Sequence, residues 1–272
     1  MPELPEVETV RRGLEKQVLN ATLQGVTLRR PDLRYAIPPA MGSLAHTKLT
    51  SLRRRAKYLL MDFDCGQTIL IHLGMSGRLL FGQASTPLLK HDHIVFRFTD
   101  GQELRFNDAR RFGVADMYPT KGEAQTKYFS KLGPEPLTDT FDGKYLLTSL
   151  EGKVSPIKTA IMDNAVVVGV GNIYASESLF RAGILPTQKA GTLSRPKAEK
   201  LVACIKDVLT EAIAAGGSSL KDYVQTDGSL GYFAHSFRVY GRGGEPCTVC
   251  KTPISKKVIG QRSTFYCTTC QK

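Results

Sequence analysis

The chain opens Met1-Pro2-Glu3-Leu4-Pro5-Glu6. Removal of Met1, which the small Pro2 behind it permits, leaves a secondary amine beside the carboxylate of Glu3. Such an amine is the nucleophile needed to attack an aldehyde-like carbon and hold it as an iminium, and an α-amino group needs little tuning because its ordinary pKa is near ~8. The competing reading is a plain terminus followed by a packing helix. At the other end, Cys247-Thr248-Val249-Cys250 and Cys267-Thr268-Thr269-Cys270 form two C-x2-C pairs sixteen residues apart, the spacing of two knuckles that close one tetrahedral thiolate site. One structural zinc ion is expected, because four thiolates leave no open position for water or substrate; a redox pair or an iron site is the alternative. The segment between the pairs offers Lys256, Lys257, Gln261 and Arg262. Cys65 and Cys204 stand alone, so the pattern is a local metal site in a reducing compartment and not a disulfide framework.

These groups need elements to hold them. Pro5, Glu6 and Glu8 suit the first turn of a helix, and Val7, Val10, Leu14 and Val18 recur at helical spacing, which predicts a terminus carried on a helix packed against a core. Residues 22–30 alternate loosely, and strand-like segments run to about residue 117. Leu49 to Phe63 reads as one strand, separated by Gly66 from a second over Thr68 to Leu73. Within the first, Arg53-Arg54-Arg55 reads as a solvated charge run ahead of Lys57 and Tyr58-Leu59-Leu60-Met61. Gly74-Met75-Ser76-Gly77 forms a loop, Asp100-Gly101 predicts a hairpin between Ile94–Phe98 and Glu103–Phe106, and Asn107 to Gly113 leads into another short strand. Alternating strands without crossover helices predict a β-sandwich. His91-Asp92-His93 lacks an apparent third ligand and reads as alternating strand residues.

Beyond a linker at Gly133-Pro134-Glu135-Pro136 the period turns helical. Segments Lys144 to Leu150, Ser155 to Met162 and Asn172 to Arg181 are followed by a longer helix with Ser194 as its cap, Pro196 in its first turn, and Leu201, Ile205, Val208, Leu209 and Ile213 on its apolar face. Gly216-Gly217 stops it, and residues 218–233 read as a polar, glycine-containing loop. With 37 Lys and Arg against 25 Asp and Glu, the formal charge of +12 favours a polyanionic partner, nucleic acid ahead of an anionic membrane surface. No apolar run approaches the roughly 18 residues of a membrane span, and acids precede any hydrophobic segment at the start, against a signal peptide. A cytoplasmic protein is expected.

Several separated blocks resemble one family. The opening PELPEVET, the RRRAKYLL and HLGMSG segments, VVVGVGNIYASESLF at 166–180 and the terminal finger with QRSTFYC span nearly the whole chain and look like those of bacterial formamidopyrimidine-DNA glycosylases, the 8-oxoguanine DNA glycosylase/AP lyase family. The resemblance implies an α+β multidomain fold. Its parts would be an N-terminal β-sandwich with an N-terminal helix at 1–132, a helical helix-two-turns-helix DNA-binding domain at 133–234 with a lesion-capping loop at about 217–231, and a four-cysteine β-hairpin zinc finger at 235–272. It implies a monomer without membrane or obligate protein partner, acting at the bacterial nucleoid on double-stranded DNA that contains oxidised purines.

By similarity Pro2 would be the nucleophile, Glu3 the general acid/base, Lys57 the β-domain lysine near the lesion and Glu6 an acid that orients the site. Ser219 and Tyr223 of the capping loop would face the lesion. Asn172 would contact backbone phosphate together with Arg262, and His72 joins the DNA-contacting set. Met75, Arg110 and Phe112 match residues that enter the duplex and fill the space left by the everted nucleotide; for Met75 and Phe112 the other reading is core packing. The implied reaction is base excision through an N-terminal proline Schiff base, followed by β,δ-elimination. The sister glycosylase for oxidised pyrimidines is the nearest alternative, disfavoured by PELPE where that group has PEGPE. A non-enzymatic damage-binding protein on the same scaffold is disfavoured by the intact Pro2, Glu3 and Lys57.

Overall fold

In the computed structural model, which describes residues 2–218 and 236–272, the first element is helix α1, Leu4–Val18. Pro5 sits in its first turn, where a missing N–H leaves no bond unmade. The four valine and leucine positions that set its period, Val7, Val10, Leu14 and Val18, are all buried in one core, worth about 1.5–3 kcal/mol each relative to exposure. An acid at Leu14 would set an unpaired charge in that layer and undo the docking.

That core lies inside a β-sandwich of eight antiparallel strands, in the order β5-β7-β6-β1-β2-β3-β4-β8. The strands are β1 Thr22–Leu28, β2 Thr47–Arg55, β3 Tyr58–Phe63, β4 Gln67–His72, β5 Arg78–Gln83, β6 Asp92–Phe98, β7 Gln102–Asn107 and β8 Val114–Pro119. β1 and β2 share only the pairs Thr22↔Lys48 and Leu23↔Thr47, so the chain turns a corner there and divides into two four-stranded faces. Leu23, Ile94, Phe96, Leu104 and Phe106 from one face and Leu49, Leu59, Met61, Ile69 and Ile71 from the other fill the space between. The opposite side of β3, β4 and β8 is covered as well: Leu60, Leu70 and Val114 pack under Tyr58, Tyr118, Tyr128 and Phe129. Burial on both faces explains why β3 and β4 read as nearly continuous apolar runs.

The expected single strand over Leu49 to Phe63 is two strands. Arg55 pairs directly with Tyr58, so Ala56 and Lys57 are the two central residues of a hairpin turn. Ala56 adopts φ +53°, a conformation that such turns normally give to glycine or asparagine. No turn-forming residue announces the reversal, which is why the sequence pattern misses it. The Asp100-Gly101 hairpin forms as expected, with Arg97↔Glu103 paired on either side and Gly101 at φ +82°.

Residues 2–130 and 216–218 make one compact unit, and residues 131–215 and 236–272 a second. The second unit contains α2 Gly143–Leu150, α3 Ile157–Ile161, α4 Asn172–Ala182 and α5 Arg195–Ala214, followed by the hairpin β9 Ser255–Ile259 and β10 Arg262–Tyr266. Asp142 caps α2 by accepting from the Tyr145 N–H at 2.7 Å. Ser194 occupies the cap position of α5, but its hydroxyl makes no capping bond; the first turn is closed by the backbone bond from Ala198 N–H to the Ser194 carbonyl. Between α3 and α4, Val166 and Val167 N–H groups both turn back onto the Asp163 carbonyl. These turns bury Val166, Val167 and Val170 beneath α5 residues Leu201, Ile205, Val208 and Leu209, giving the helix-two-turns-helix arrangement. The β-sandwich, this helical part and the cysteine-bearing hairpin together make the α+β fold expected from the sequence.

Candidate active site

Pro2, Glu3 and Glu6 are brought together by the first turn of α1, and all three are buried. Glu6 joins this turn to a distant part of the chain. Its Oε2 accepts from the Glu3 N–H at 2.8 Å, while Oε1 accepts from both the N–H and the hydroxyl of Ser218, at 2.8 and 2.9 Å. A buried carboxylate with both oxygens engaged is rigidly oriented, so Glu6 fixes the backbone of residue 3 and the start of the following segment relative to one another. Ser219 and Tyr223, and nearly all of the expected capping loop, lie outside the described residues.

Lys57 is 9% exposed and stands on the β2–β3 turn, anchored from α1. Glu8 Oε2 accepts from Arg54 Nε at 3.1 Å, and Arg54 Nη1 donates to the Ala56 carbonyl at 2.9 Å. Glu8 also gathers Arg11 and Arg12, and Arg11 Nη1 donates to the Leu52 carbonyl at 3.2 Å. Burial pushes the Glu8 carboxyl up, but hydrogen bonds from Arg11 and Arg12 and the charges of Arg11 and Arg54 outweigh it and leave the pKa lowered. The run Arg53-Arg54-Arg55 is therefore not simply a solvated face. Arg53 is forked onto Asp62 at 2.6 and 2.9 Å and reaches Glu123 at 2.6 Å, and only 12% of the Arg54 side chain is exposed.

His72 ends β4 opposite Tyr58, and its Nδ1 accepts from the Gly74 N–H at 3.0 Å. Burial, reinforced by the charges of Lys57 and Arg34, lowers its pKa to about 4. The ring is neutral at pH 7 and carries its proton on Nε2, where it can donate. Because the folded pKa lies below the ordinary value near ~6.5, the unfolded chain binds the extra proton. Stability linked to His72 is thus complete above pH ~6.5 and is lost as the pH falls towards 4. We expect His72→Gln to flatten that part of the stability profile, as read from urea midpoints across the window; an unchanged slope would remove His72 as its source.

Met75, Arg110 and Phe112 lie on two loops that meet backbone to backbone. A Cβ on Gly74, at φ +64°, would fall 2.4 Å from the Phe112 carbonyl carbon, so only glycine permits this approach. Asp108, fully buried, latches the pair: Oδ1 accepts from the Ser76 hydroxyl at 2.6 Å and Oδ2 from the Gly113 N–H at 2.8 Å. Phe112 is 44% exposed and lies under the Arg110 guanidinium, 4.9 Å from its ring centroid. Core packing does not account for Phe112. The His91-Asp92-His93 triplet is absorbed locally, with His93 Nε2 bonded to the Asp108 carbonyl at 2.8 Å and Asp92 accepting from Asn107 and Leu89.

In the second unit, Asn172 begins α4 and is tied to the hairpin. Its Nδ2 donates to the Ser263 carbonyl at 3.0 Å, and its Oδ1 accepts from Lys158 Nζ. Lys158, 1% exposed, also donates to Thr264 Oγ1 at 2.7 Å. Arg262, exposed, follows the two-residue turn Gly260-Gln261, whose φ values of +55° and +59° are those of a type I′ hairpin. Lys158 was not legible in the sequence, since a single lysine on a short helix resembles a surface residue. Lys158→Met would strip the half-buried Asn172 Oδ1 and the buried Thr264 Oγ1 of a donor, at about 1–3 kcal/mol for the buried one. We expect roughly tenfold weaker duplex binding, with no added loss when Asn172→Ala is already present; additive losses would mean that Lys158 does not act through Asn172.

Glu177 carries no sequence signal either. Buried on α4, it accepts from the N–H groups of Arg238, Val239 and Tyr240 at 3.0, 3.0 and 2.8 Å and so docks the approach to the finger. The Sγ atoms of Cys247, Cys250, Cys267 and Cys270 all lie within 4.8 Å of one another, with Cys247–Cys270 at 3.9 Å and Cys250–Cys267 at 3.4 Å. A zinc tetrahedron with ~2.3 Å bonds has edges of roughly 3.8 Å. The four thiols fit one structural Zn2+.

Comparison with known proteins accounts for almost the whole chain. The formamidopyrimidine-DNA glycosylase N-terminal domain matches residues 1–115, the formamidopyrimidine-DNA glycosylase H2TH domain residues 132–224, and the zinc finger found in FPG and IleRS residues 244–272. A formamidopyrimidine-DNA glycosylase of Alteromonas mediterranea is 50% identical over 272 residues, covering 100% of both chains. The wild-type Lactococcus lactis Fpg (MutM) in complex with N7-benzyl-Fapy-dG DNA superposes with a TM-score of 0.92 at 32% identity, covering 100% of both chains. The same L. lactis protein with abasic-site DNA gives a TM-score of 0.92 at 31% identity and 99% coverage of each. The chain belongs to the formamidopyrimidine-DNA glycosylase family.

Proposed function

We propose that this protein is a bifunctional DNA glycosylase and AP lyase of base excision repair, which removes 8-oxoguanine and formamidopyrimidines from double-stranded DNA. The observation that carries the reading is the buried Pro2-Glu3 terminus held by Glu6 on helix α1; the L. lactis relatives bound to Fapy-dG and abasic-site DNA support it. Once Met1 is removed, the Pro2 nitrogen attacks C1′ of the everted nucleotide and the C1′–base bond breaks. Glu3 handles the protons exchanged with the sugar. Loss of the base leaves Pro2 bonded to C1′. A proton passed to O4′, the role given to Glu3, then breaks the C1′–O4′ bond, opens the sugar and yields the iminium, which acidifies the C2′ proton; its removal expels the 3′ phosphate by β-elimination, and a second elimination expels the 5′ phosphate. The amine is regenerated when the sugar remnant hydrolyses off.

Lys57 serves this site from the β2–β3 turn, and the neutral His72, Asn172 and Arg262 meet phosphates, which fixes register without reading sequence. Met75, Arg110 and Phe112 fill the gap left by eversion, with Arg110 presenting its fork to the orphaned base. Zinc, when bound, supplies no chemistry and holds the hairpin that bears Arg262. The division at 132/133 and 234/235 marks the catalytic, helical and finger segments. No described helix is long and apolar enough to cross a membrane, and we place the protein in the cytoplasm, at the nucleoid, as a monomer. Incubation with an 8-oxoguanine:C duplex should leave a one-nucleotide gap, faster than on a duplex with an oxidised pyrimidine; the reverse preference would assign the sister activity.

Ser219 and Tyr223 are proposed to face the lesion, because Ser218 is the residue by which Glu6 anchors the entrance to that segment. 8-Oxoguanine differs from guanine at N7 and C8, so discrimination should depend on polar geometry. Replacing residues 219–226 by a short Gly/Ser linker should sharply lower 8-oxoguanine excision while sparing cleavage of a preformed abasic site. Equal retention of both activities would make the segment a bystander.

A further inference from the structure

The β2–β3 turn presents a problem that its own sequence does not solve. Two-residue hairpin turns come in two forms: type I′ has positive φ at both central residues, and type II′ only at the first. They differ by the orientation of the peptide between those residues, here the Ala56–Lys57 peptide. Positive φ at the first position favours glycine in either form, whereas this chain has alanine at φ +53°, which costs about 1 kcal/mol or more. A flip of that peptide would change φ at Lys57 and redirect its side chain.

We infer that Arg54, held by Glu8, is a positioning residue that fixes the Ala56–Lys57 peptide and thereby aims Lys57 relative to the helix bearing Pro2. The carbonyl of that peptide accepts from Arg54 Nη1 at 2.9 Å, and Arg54 Nε is bound by Glu8 Oε2 at 3.1 Å. Glu8 is on α1, within two turns of Glu3, so the strut runs from the helix of the nucleophile to the turn of the lysine. A parallel bond from Arg11, itself gripped by Glu8, reaches the Leu52 carbonyl at 3.2 Å on the same hairpin. Both Glu8 and Arg54 side chains are 12% exposed, so this pair is shielded from the screening that weakens surface pairs. The guanidinium is suited to the task because its planar fork donates in two fixed directions at once, which an ammonium cannot do.

This inference rests on the glycosylase/lyase reading, and a double-mutant test separates the two. Arg54→Met keeps the aliphatic stem and removes both donors; Arg54→Lys keeps the charge but not the fork. Both should lower single-turnover excision of 8-oxoguanine by on the order of 10- to 100-fold, with duplex affinity and its salt dependence unchanged for Arg54→Lys. In a Lys57→Met background, Arg54→Met should cost nothing further, since its effect passes through Lys57. Full activity of Arg54→Lys would show that only charge matters, and additive losses with Lys57→Met would show that Arg54 acts elsewhere; either overturns the inference. Should Arg54→Met fail to fold, Arg54→Lys and Glu8→Gln carry the same cycle with Lys57→Met. A wild-type protein inactive on both lesion and abasic duplexes would instead overturn the functional reading itself.

Discussion

Borohydride added during turnover of an 8-oxoguanine:C duplex should trap the DNA on the nitrogen of Pro2. Glu3→Gln should lower base excision by about 10^2- to 10^4-fold, the usual contribution of a positioned acid/base. The expectation follows from the terminus itself: Glu3 is 3% exposed at the start of α1 and its N–H is held by Glu6 at 2.8 Å. A secondary amine forms an iminium that hydride can reduce, whereas a protonated or acylated terminus cannot. Retaining Met1 should therefore abolish trapping without disturbing the fold. Mass mapping of the crosslink decides the assignment, because Lys57 is the other amine on this unit with a proposed role at the lesion. A crosslink on Lys57 would move the nucleophile there and leave Pro2 a structural residue.

Removal of zinc should have the second large effect. The hairpin β9–β10 contributes few apolar side chains of its own, and its small cluster of Val239, Ile254 and Phe265 includes the ligands Cys247 and Cys267. Metal binding and folding are thus one process in this segment, with apparent binding free energies of about 10–16 kcal/mol in comparable fingers. Cys250→Ser should lose zinc and, with it, the placement of Arg262 and of the Ser263 carbonyl and Thr264 hydroxyl that hold Asn172 and Lys158. Duplex affinity should fall by at least about 100-fold, roughly 2.7 kcal/mol, while thermal unfolding of the β-sandwich stays in place. Metal content and binding are measured on the same preparation. Unchanged affinity in zinc-free protein would take the finger out of the DNA surface.

The sequence by itself determined whatever depends on near neighbours. Helix α1 follows from the spacing of Val7, Val10, Leu14 and Val18, the thiolate site from two C-x2-C pairs, and the β6–β7 hairpin from Asp100-Gly101. In each case the signal lies within a few residues, where helical period, ligand spacing or turn chemistry acts directly. Four distinctive blocks also sufficed to indicate the family. Only the tertiary structure decided how charges are shared and how loops meet. Arg54 finds Glu8 and Arg53 finds Glu123 across the fold, so two arginines of a run that would be solvated in isolation become struts. Lys158 is buried because Asn172 and Thr264, the latter 106 residues away, surround its ammonium. Glu6 meets Ser218 across 212 residues. Ala56 is held in a left-handed turn by bonds from outside the turn, against its own preference. A cation or carboxylate in a sequence specifies only that it must be paired or solvated, and which of the two occurs is settled when distant strands and helices close around it.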